Sequence, residues 1–398
     1  MADLILALNC GSSSIKFALF EAFAGGVQRA AVWQGKVEDL HGPAPTIEHS
    51  GAGPEPLQPG HDNTAHRALL AIRERLDRQL GGGALRAVAH RVVHGGTRHL
   101  TPVRVDREVL DDLRACTPLA PLHQRPALDA IELLLQISPA LPQVACFDTA
   151  FHQTMPLAEQ MLPLPREAFD RGLRRYGFHG LSYEYQAIVL KERRGAAAPA
   201  RLIVAHLGSG ASLCALRDLR SVSTTMGFSA LDGLMMGTRC GSLDPGAVLH
   251  LLQVDGMTPA QVSQLLYHEA GLTGVSGVSG DPRVLLEHEQ GDERVRLALE
   301  MYVRRIVREI GALTAALGGL DMLVFTAGIG EHNAEIRRRV CSALDHLGVG
   351  VDAAANRAHA PTISSAASRV EVLIEPAAEE WVAARHAWQL LTSNPGPP

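Results

Sequence analysis

Four groups of side chains sit where polar chemistry is unexpected unless a ligand is nearby. Arg91 lies inside the apolar run 87–93, just ahead of His94, and His123 follows further along the chain. Asp148 ends the apolar run 144–147, with His152 close behind, and His179 stands between Phe178 and Gly180. Arg239 lies in Met-Gly-Thr-Arg-Cys-Gly-Ser, with a glycine on each side. An arginine can fork onto a carboxylate or a phosphate. A carboxylate at a strand end can hold a metal ion, and flanking glycines let the backbone approach a phosphate closely. Each residue also has a structural reading. Arg91 could pair with an acid, His123 and His179 could be hydrogen-bonded core histidines, and Asp148 could cap the next helix. His94 and His152 read better as structural than as catalytic.

The elements that must position these groups begin with a hairpin. Residues 4–20, LILALNCGSSSIKFALF, read as strand, small polar turn, strand, with Lys16 beside the tip. Such a turn can cradle phosphate on outward-pointing amides. Residues 202–216, LIVAHLGSGASLCAL, repeat the pattern: a gapless shift of 197 pairs Ile5 with Leu202, Asn9 with His206, Gly11 with Gly208 and Leu19 with Leu216. The shift is half the chain, which suggests duplicated domains. Further on, Gly271–Gly280 reads as a flexible turn, 292–317 as the longest amphipathic helix, and 333–347 as another helix. Gly328-Ile329-Gly330-Glu331 lies between a strand and a helix and could hold a nucleotide. Asn333 replaces the third glycine of the dinucleotide fingerprint, and there is no GxxxxGK[ST] run.

Composition narrows the classes. A length of 398 residues predicts two domains, and 46% hydrophobic with 20% charged residues is ordinary for globular cores. A net charge of −5 without a basic block argues against nucleic acid as a partner. No apolar run approaches the ~18 residues of a membrane span, and no secretory leader is apparent, so a cytoplasmic protein is expected. The six cysteines lack zinc spacing and read as reduced thiols. Cys10 and Cys240 lie inside the motifs and could be alkylation-sensitive, though packing is the better reading.

The motifs taken together resemble acetate kinase. They are Leu8–Ser14, His90–Gly96, Phe147–Pro156, Tyr176–Gly180, His206–Gly210, Met236–Arg239 and Phe325–Glu331, in that family's order over almost the whole chain. The resemblance implies an α/β fold of two duplicated actin-like (ribonuclease H-like) domains facing an interdomain nucleotide cleft. The first domain would span 1–149, completed by a helix at 382–392. The second would span 150–381, and 393–398 would be a disordered tail. It implies reversible, direct in-line transfer of the ATP γ-phosphoryl group to acetate, giving acetyl phosphate and ADP, with Mg²⁺ (or Mn²⁺) and a homodimeric state. Alternatives are a propionate or butyrate kinase or, more remotely, an actin-like chaperone or filament ATPase.

Carried over by position, Arg91 binds the substrate carboxylate, Asp148 is the active-site acid, and His179 and Arg239 stabilise the transition state. Asn9 and Glu379 place the metal. Val93, Leu122, Phe178 and Ala230 line the acyl pocket, with His123 beside the substrate. The nucleotide falls to Lys16, to His206, Leu207, Gly208, Ser209 and Gly210, to Asp281, Pro282 and Arg283, and to Gly328, Ile329, Gly330, Glu331 and His332. Several positions depart from the family pattern: Ser209 for Asn, Ser242 for Asp, His332 for Asn, Ala377-Ala378 for Thr-Asn, and Ala230 for Pro. A carboxylic acid substrate, with a pKa of roughly 4–5, is already an anion at neutral pH and needs no general base. Asp148 is therefore expected to position groups and link to the metal, not to take a proton.

Overall fold

The structure, a computed structural model, describes residues 2–58, 63–80 and 82–393, leaving aside the side chains of residues 121 and 122. The expected tail falls on residues 394–398, which lie outside the described residues, apart from Ser393, the last residue of a helix. The chain is α/β and divides into two compact units, Met1–Ala150 with Ala378–Pro398, and Phe151–Ala377.

In the first unit, β1 (Asp3–Cys10) and β2 (Ile15–Phe23) form the expected hairpin, with Asn9 opposite Lys16. β3 (Trp33–Glu38) follows beside β2, and β4 (Ala84–Val92) and β5 (Gln143–Phe147) add parallel to β1 on its other side. The core order is β3-β2-β1-β4-β5. Side chains alternate across these strands. Leu4, Leu6, Leu8 and Cys10 pack under α1 (Thr64–Gln79) and α2 (Pro121–Ile137), against Leu69, Ile72, Leu76, Leu133 and Leu134. Each fully buried leucine stabilises this layer by roughly 1.5–3 kcal/mol. The opposite face carries small residues at Ala7 and Ala89 beside the larger Ile5. Short side chains there let the C-terminal helix, Glu379–Ser393, lie close to the sheet, where Ala383 O accepts from Cys146 Sγ at 3.7 Å and Trp381 Nε1 donates to Val27 O at 3.2 Å.

In the second unit, β6 (Arg201–Leu207), β7 (Ala211–Arg217), β8 (Arg220–Thr224), β9 (Met322–Thr326) and β10 (Glu371–Ile374) are ordered β8-β7-β6-β9-β10. That is the connectivity of the first unit repeated. α3 (Gly180–Arg194) buries Tyr183, Ala187 and Leu190 on one face. α4 (Glu293–Leu317) packs through the stripe Val295, Leu299, Tyr302, Ile306 and Ile310. α5 (Ala327–His332) follows β9 directly.

The gapless repeat does not survive in detail. Leu6 pairs with Leu19 in the first hairpin, whereas Ile203 pairs with Ala215 in the second. Leu19 therefore corresponds to Ala215, not Leu216. The second turn is one residue shorter, because Gly208 N closes onto Gly210 O at 3.1 Å where Gly11 N closes onto Ser14 O at 2.8 Å. Two other expectations change. The supposed flexible turn contains a helix, Gly271–Ser276, preceded by a π-helical turn, Leu265–Glu269. The helix expected over 333–347 is Ala334–Ser342, capped by Asn333, with a separate 3₁₀ turn at Asp345–Leu347. Cys10 is buried, and burial pushes its thiol up to about 12, so it packs and is not poised to react.

Candidate active site

In the first unit the parallel strands β1, β4 and β5 end along one edge, where ligands collect in open α/β sheets. The alternation that buries Leu8 and Val92 toward α2 turns Asn9, Arg91 and Asp148 toward the C-terminal helix. Glu379 begins that helix. Arg91 Nε donates to Asp148 Oδ1 at 2.8 Å and its Nη2 to Oδ2 at 2.7 Å, while Nη1 lies 2.9 Å from Glu379 Oε2. This is a bidentate fork plus a second carboxylate. Asp148 is only 2% exposed. Burial alone would lower the Arg91 guanidinium, but the charges of Asp148 and Glu379 outweigh it and hold it above its ordinary value. Glu379 moves the other way. Burial, then the nearby Asp148 and Glu380 charges, push it up to about 7 against the pull of Arg91 and Lys16. Val93 is half-buried next along the chain. His123 opens α2, its amide donating to Ala120 O at 3.1 Å. The Leu122 side chain lies outside the described residues.

His94 is buried and held by its neighbours. Its amide donates to Gln124 Oε1 at 3.0 Å, its Nδ1 accepts from Gly96 N at 2.8 Å, and burial pushes the ring down to about 4. His152, in the second unit, is likewise buried and held. Its Nε2 donates to Phe178 O at 2.9 Å, so Nδ1 accepts from Ser221 Oγ at 2.9 Å, and burial pushes it down to about 4. Phe178 is fully buried beside it.

The second unit has its own cluster at the ends of β6 and β9. His179 holds the left-handed conformation, φ 58°, at the start of α3. Its Nδ1 lies 2.8 Å from Ser212 Oγ, which also meets Tyr183 OH at 2.5 Å. Its ring stacks on His206, centroids 4.1 Å apart at 16°, and His206 Nδ1 lies 2.9 Å from Ser182 Oγ. The turn Gly208–Gly210 closes against this pair. A Cβ on Gly210 would stand 3.1 Å from Arg239 Nη2 and 3.4 Å from His179 Nε2, so glycine is what lets both side chains reach the turn. Arg239 is tethered by Nη1 donating to Ala230 O at 2.8 Å. Leu207 is buried and Ser209 exposed. Asp281 caps the helix Pro282–His288 and is held below the usual carboxylate range, chiefly by the side chain of Arg283. That arginine is 76% exposed. α5 starts from Ala327 at φ 65°, carries Gly328, Ile329 and Gly330, and fixes Glu331 through Ala377 N at 3.0 Å, with His332 exposed.

Sequence reasoning missed two arginines that hold these loops. Arg337 is fully buried and donates to Gly330 O and Glu331 O, both at 2.8 Å, and to Asn356 Oδ1 at 2.8 Å. Arg175 Nη1 donates to the carbonyls of Thr224, Thr225 and Met226 at 3.1, 3.3 and 3.2 Å. The signal for Arg337 was an arginine beside the apolar stripe of Ile336 and Val340; Arg175 left none.

Two units with one strand order, each opening on a glycine-tipped hairpin, define the actin-like ATPase fold. The sequence model of the acetokinase family matches residues 4–385, and the chain belongs to that family. A curated acetate kinase of Rhodopseudomonas palustris is 49% identical over 395 residues, covering 98% of this chain and 99% of the relative. The crystal structure of Porphyromonas gingivalis acetate kinase superposes with a TM-score of 0.83 at 35% identity, covering 98% and 100% of the two chains. That of a Francisella tularensis propionate kinase superposes at 0.88 and 33% identity, covering 96% and 98%.

Proposed function

We propose that this protein is an acetate kinase, passing the γ-phosphoryl group of ATP directly to acetate and running in reverse from acetyl phosphate and ADP. The observation that carries the reading is the Arg91 cluster. A carboxylate oxygen of acetate forms the new P–O bond, and the bond from γ-phosphorus to the bridging oxygen of ADP breaks. Both oxygens of Asp148 are engaged by the Arg91 fork, which supports a positioning role and leaves no task for a general base. Arg91 offers its charge to the incoming carboxylate. The convergence of His179 and Arg239 on the Gly208–Gly210 turn supports a role for both in stabilising charge on the transferring group.

Mg²⁺ fits the donors present: the buried carboxylate of Asp148 and the largely buried one of Glu379, with Asn9 on the same face of the sheet. Mg²⁺ commonly uses one or two carboxylates and substrate phosphate oxygens, and the burial that raises Glu379 is the kind a cation relieves. When bound, it would neutralise phosphate charge; Asn9 and Glu379 would hold it. Among the described residues no helix is long and apolar enough to cross a membrane, in keeping with a cytoplasmic enzyme.

A homodimer is supported by the helix Pro245–Gln253, which carries Val248, Leu249, Leu251 and Leu252 yet buries none of its residues. Leu243, Leu249 and Val254 are 46, 52 and 69% exposed. Apolar surface of this kind is ordinarily covered by a partner. A one-chain mass in sedimentation equilibrium would rule it out.

A propionate-type reading is favoured by one observation, the small Ala230 at the Arg239 tether. The experiment is a hydroxamate assay for acyl phosphate with acetate, propionate and butyrate, beside Arg91→Ala and Arg239→Ala. Acetate is expected to be the best acceptor, with each variant reduced about 10²-fold or more. Carboxylate-independent ATP turnover would refute the reading.

A further inference from the structure

Arg239 sits in a segment, Met236–Cys240, with no helix or strand of its own. A second stretch of backbone lies along it. Ala270 N donates to Thr238 O at 3.0 Å, Leu272 N to Met236 O at 2.9 Å and Thr273 N to Gly237 O at 2.9 Å. In the other direction, Cys240 N donates to Leu266 O at 3.2 Å and Thr238 Oγ1 to Tyr267 O at 2.9 Å. Both flanks of Arg239 are thus bonded to 266–273, which begins in the π-helical turn Leu265–Glu269. Such turns recur at functional sites.

Two glycines set how close the stretches lie. Gly271 has φ +64°, and a Cβ there would stand 2.2 Å from Met236 O and 2.8 Å from Arg239 O. A Cβ on Gly280 would stand 2.9 Å from Gly237 O. At Gly271 the obstruction is all backbone, which cannot swing aside as a side chain can; at Gly280 it is the Gly237 backbone together with Thr273 Oγ1, also at 2.9 Å. The same stretch then runs straight into Asp281–Arg283.

We propose that residues 265–280 form a clasp that positions Arg239, with Gly271 and Gly280 setting the height of its guanidinium over Gly210 and His179. The proposal rests on the reading of Arg239 as a transfer residue. These glycines touch neither substrate; they act through the arginine. Because the clasp continues into the Asp281–Arg283 segment, one piece of backbone serves both the catalytic arginine and a nucleotide-binding stretch.

The test is a double-variant cycle in the acyl phosphate assay. Gly271→Ala is expected to lower kcat about 10²-fold, the effect of a displacement near 1 Å at a reacting centre. Gly280→Ala, a milder push, should lower it roughly 10-fold. KM for ATP should change less than about threefold in either, since the displaced group acts in the transition state. In an Arg239→Ala background each glycine variant should cost less than about twofold more, because the group it positions is gone. Equal losses in both backgrounds, or wild-type kcat in both glycine variants, would overturn the clasp. If Gly271→Ala does not fold by circular dichroism, the Gly280 cycle decides alone. Failure of the underlying reading looks different: Arg239→Ala would then run at the wild-type rate.

Discussion

Arg91 compensates the buried Asp148 and the largely buried Glu379, so removing it should destabilise the first unit before any question of catalysis arises. Arg91→Ala leaves Asp148, 2% exposed, without its fork and Glu379 without its nearest cation. Breaking a buried pair by removing one partner costs about 3–5 kcal/mol. With a urea m-value of ~2 kcal/mol/M, the midpoint should fall by roughly 1.5–2.5 M. The readout is selective: the three tryptophans, Trp33, Trp381 and Trp388, all lie in the first unit, so intrinsic fluorescence follows that unit alone. The loss must depend on pH. Glu379 is already raised to about 7, chiefly by burial, and removing Arg91 takes away the main charge that opposes that rise. A carboxyl raised in the folded state contributes stability that is present below its unfolded value and lost as pH rises through the folded one. Arg91→Ala should therefore cost most at pH 8 and clearly less at pH 5.5. Adding Asp148→Asn and Glu379→Gln should restore most of the midpoint at pH 8. A single variant within about 0.3 M of wild type at pH 8, or a loss identical at both pH values, would refute the reasoning.

Three of the buried histidines make an opposite acid prediction. Burial pushes His90, His94 and His152 down to about 4. A base depressed in the folded state contributes stability that is present above its unfolded value, ~6.5, and lost as pH falls through the folded one, roughly 3 kcal/mol each. Tm should drop between pH 6.5 and 4, and less steeply in His152→Gln; parallel pH profiles would argue against it. Specificity gives another test. Ala230→Pro should lower the propionate-to-acetate ratio of kcat/KM, by up to the roughly 10–200-fold that one methylene allows; an unchanged ratio would take Ala230 out of the acyl pocket.

Local rules carried much of this protein into view. The hairpin at 4–20, its degenerate copy half a chain later, and an arginine stranded in an apolar run are all properties of neighbours in sequence. Alternation and turn chemistry act over that range, so residue types alone announced the duplicated strand pattern and singled out Arg91, Asp148, His179 and Arg239. What the sequence could not contain was anything depending on distance through space. The one-residue shortening of the second turn is set by a hydrogen bond across the hairpin, and degenerate small residues align equally well without it. The roles of Arg337 and Arg175 exist only once folding brings carbonyls around them. Glu379, 231 residues after Asp148 in the chain, became a partner of Arg91 only when the C-terminal helix settled on the alanine face of the first sheet. The helix at Gly271–Ser276 looked like a flexible glycine turn, but Gly271 is there both for its left-handed backbone, φ +64°, and for the neighbouring backbone at Met236 that a Cβ would strike. Chain-local chemistry chose which residues could do the work, and packing between distant segments decided which of them meet.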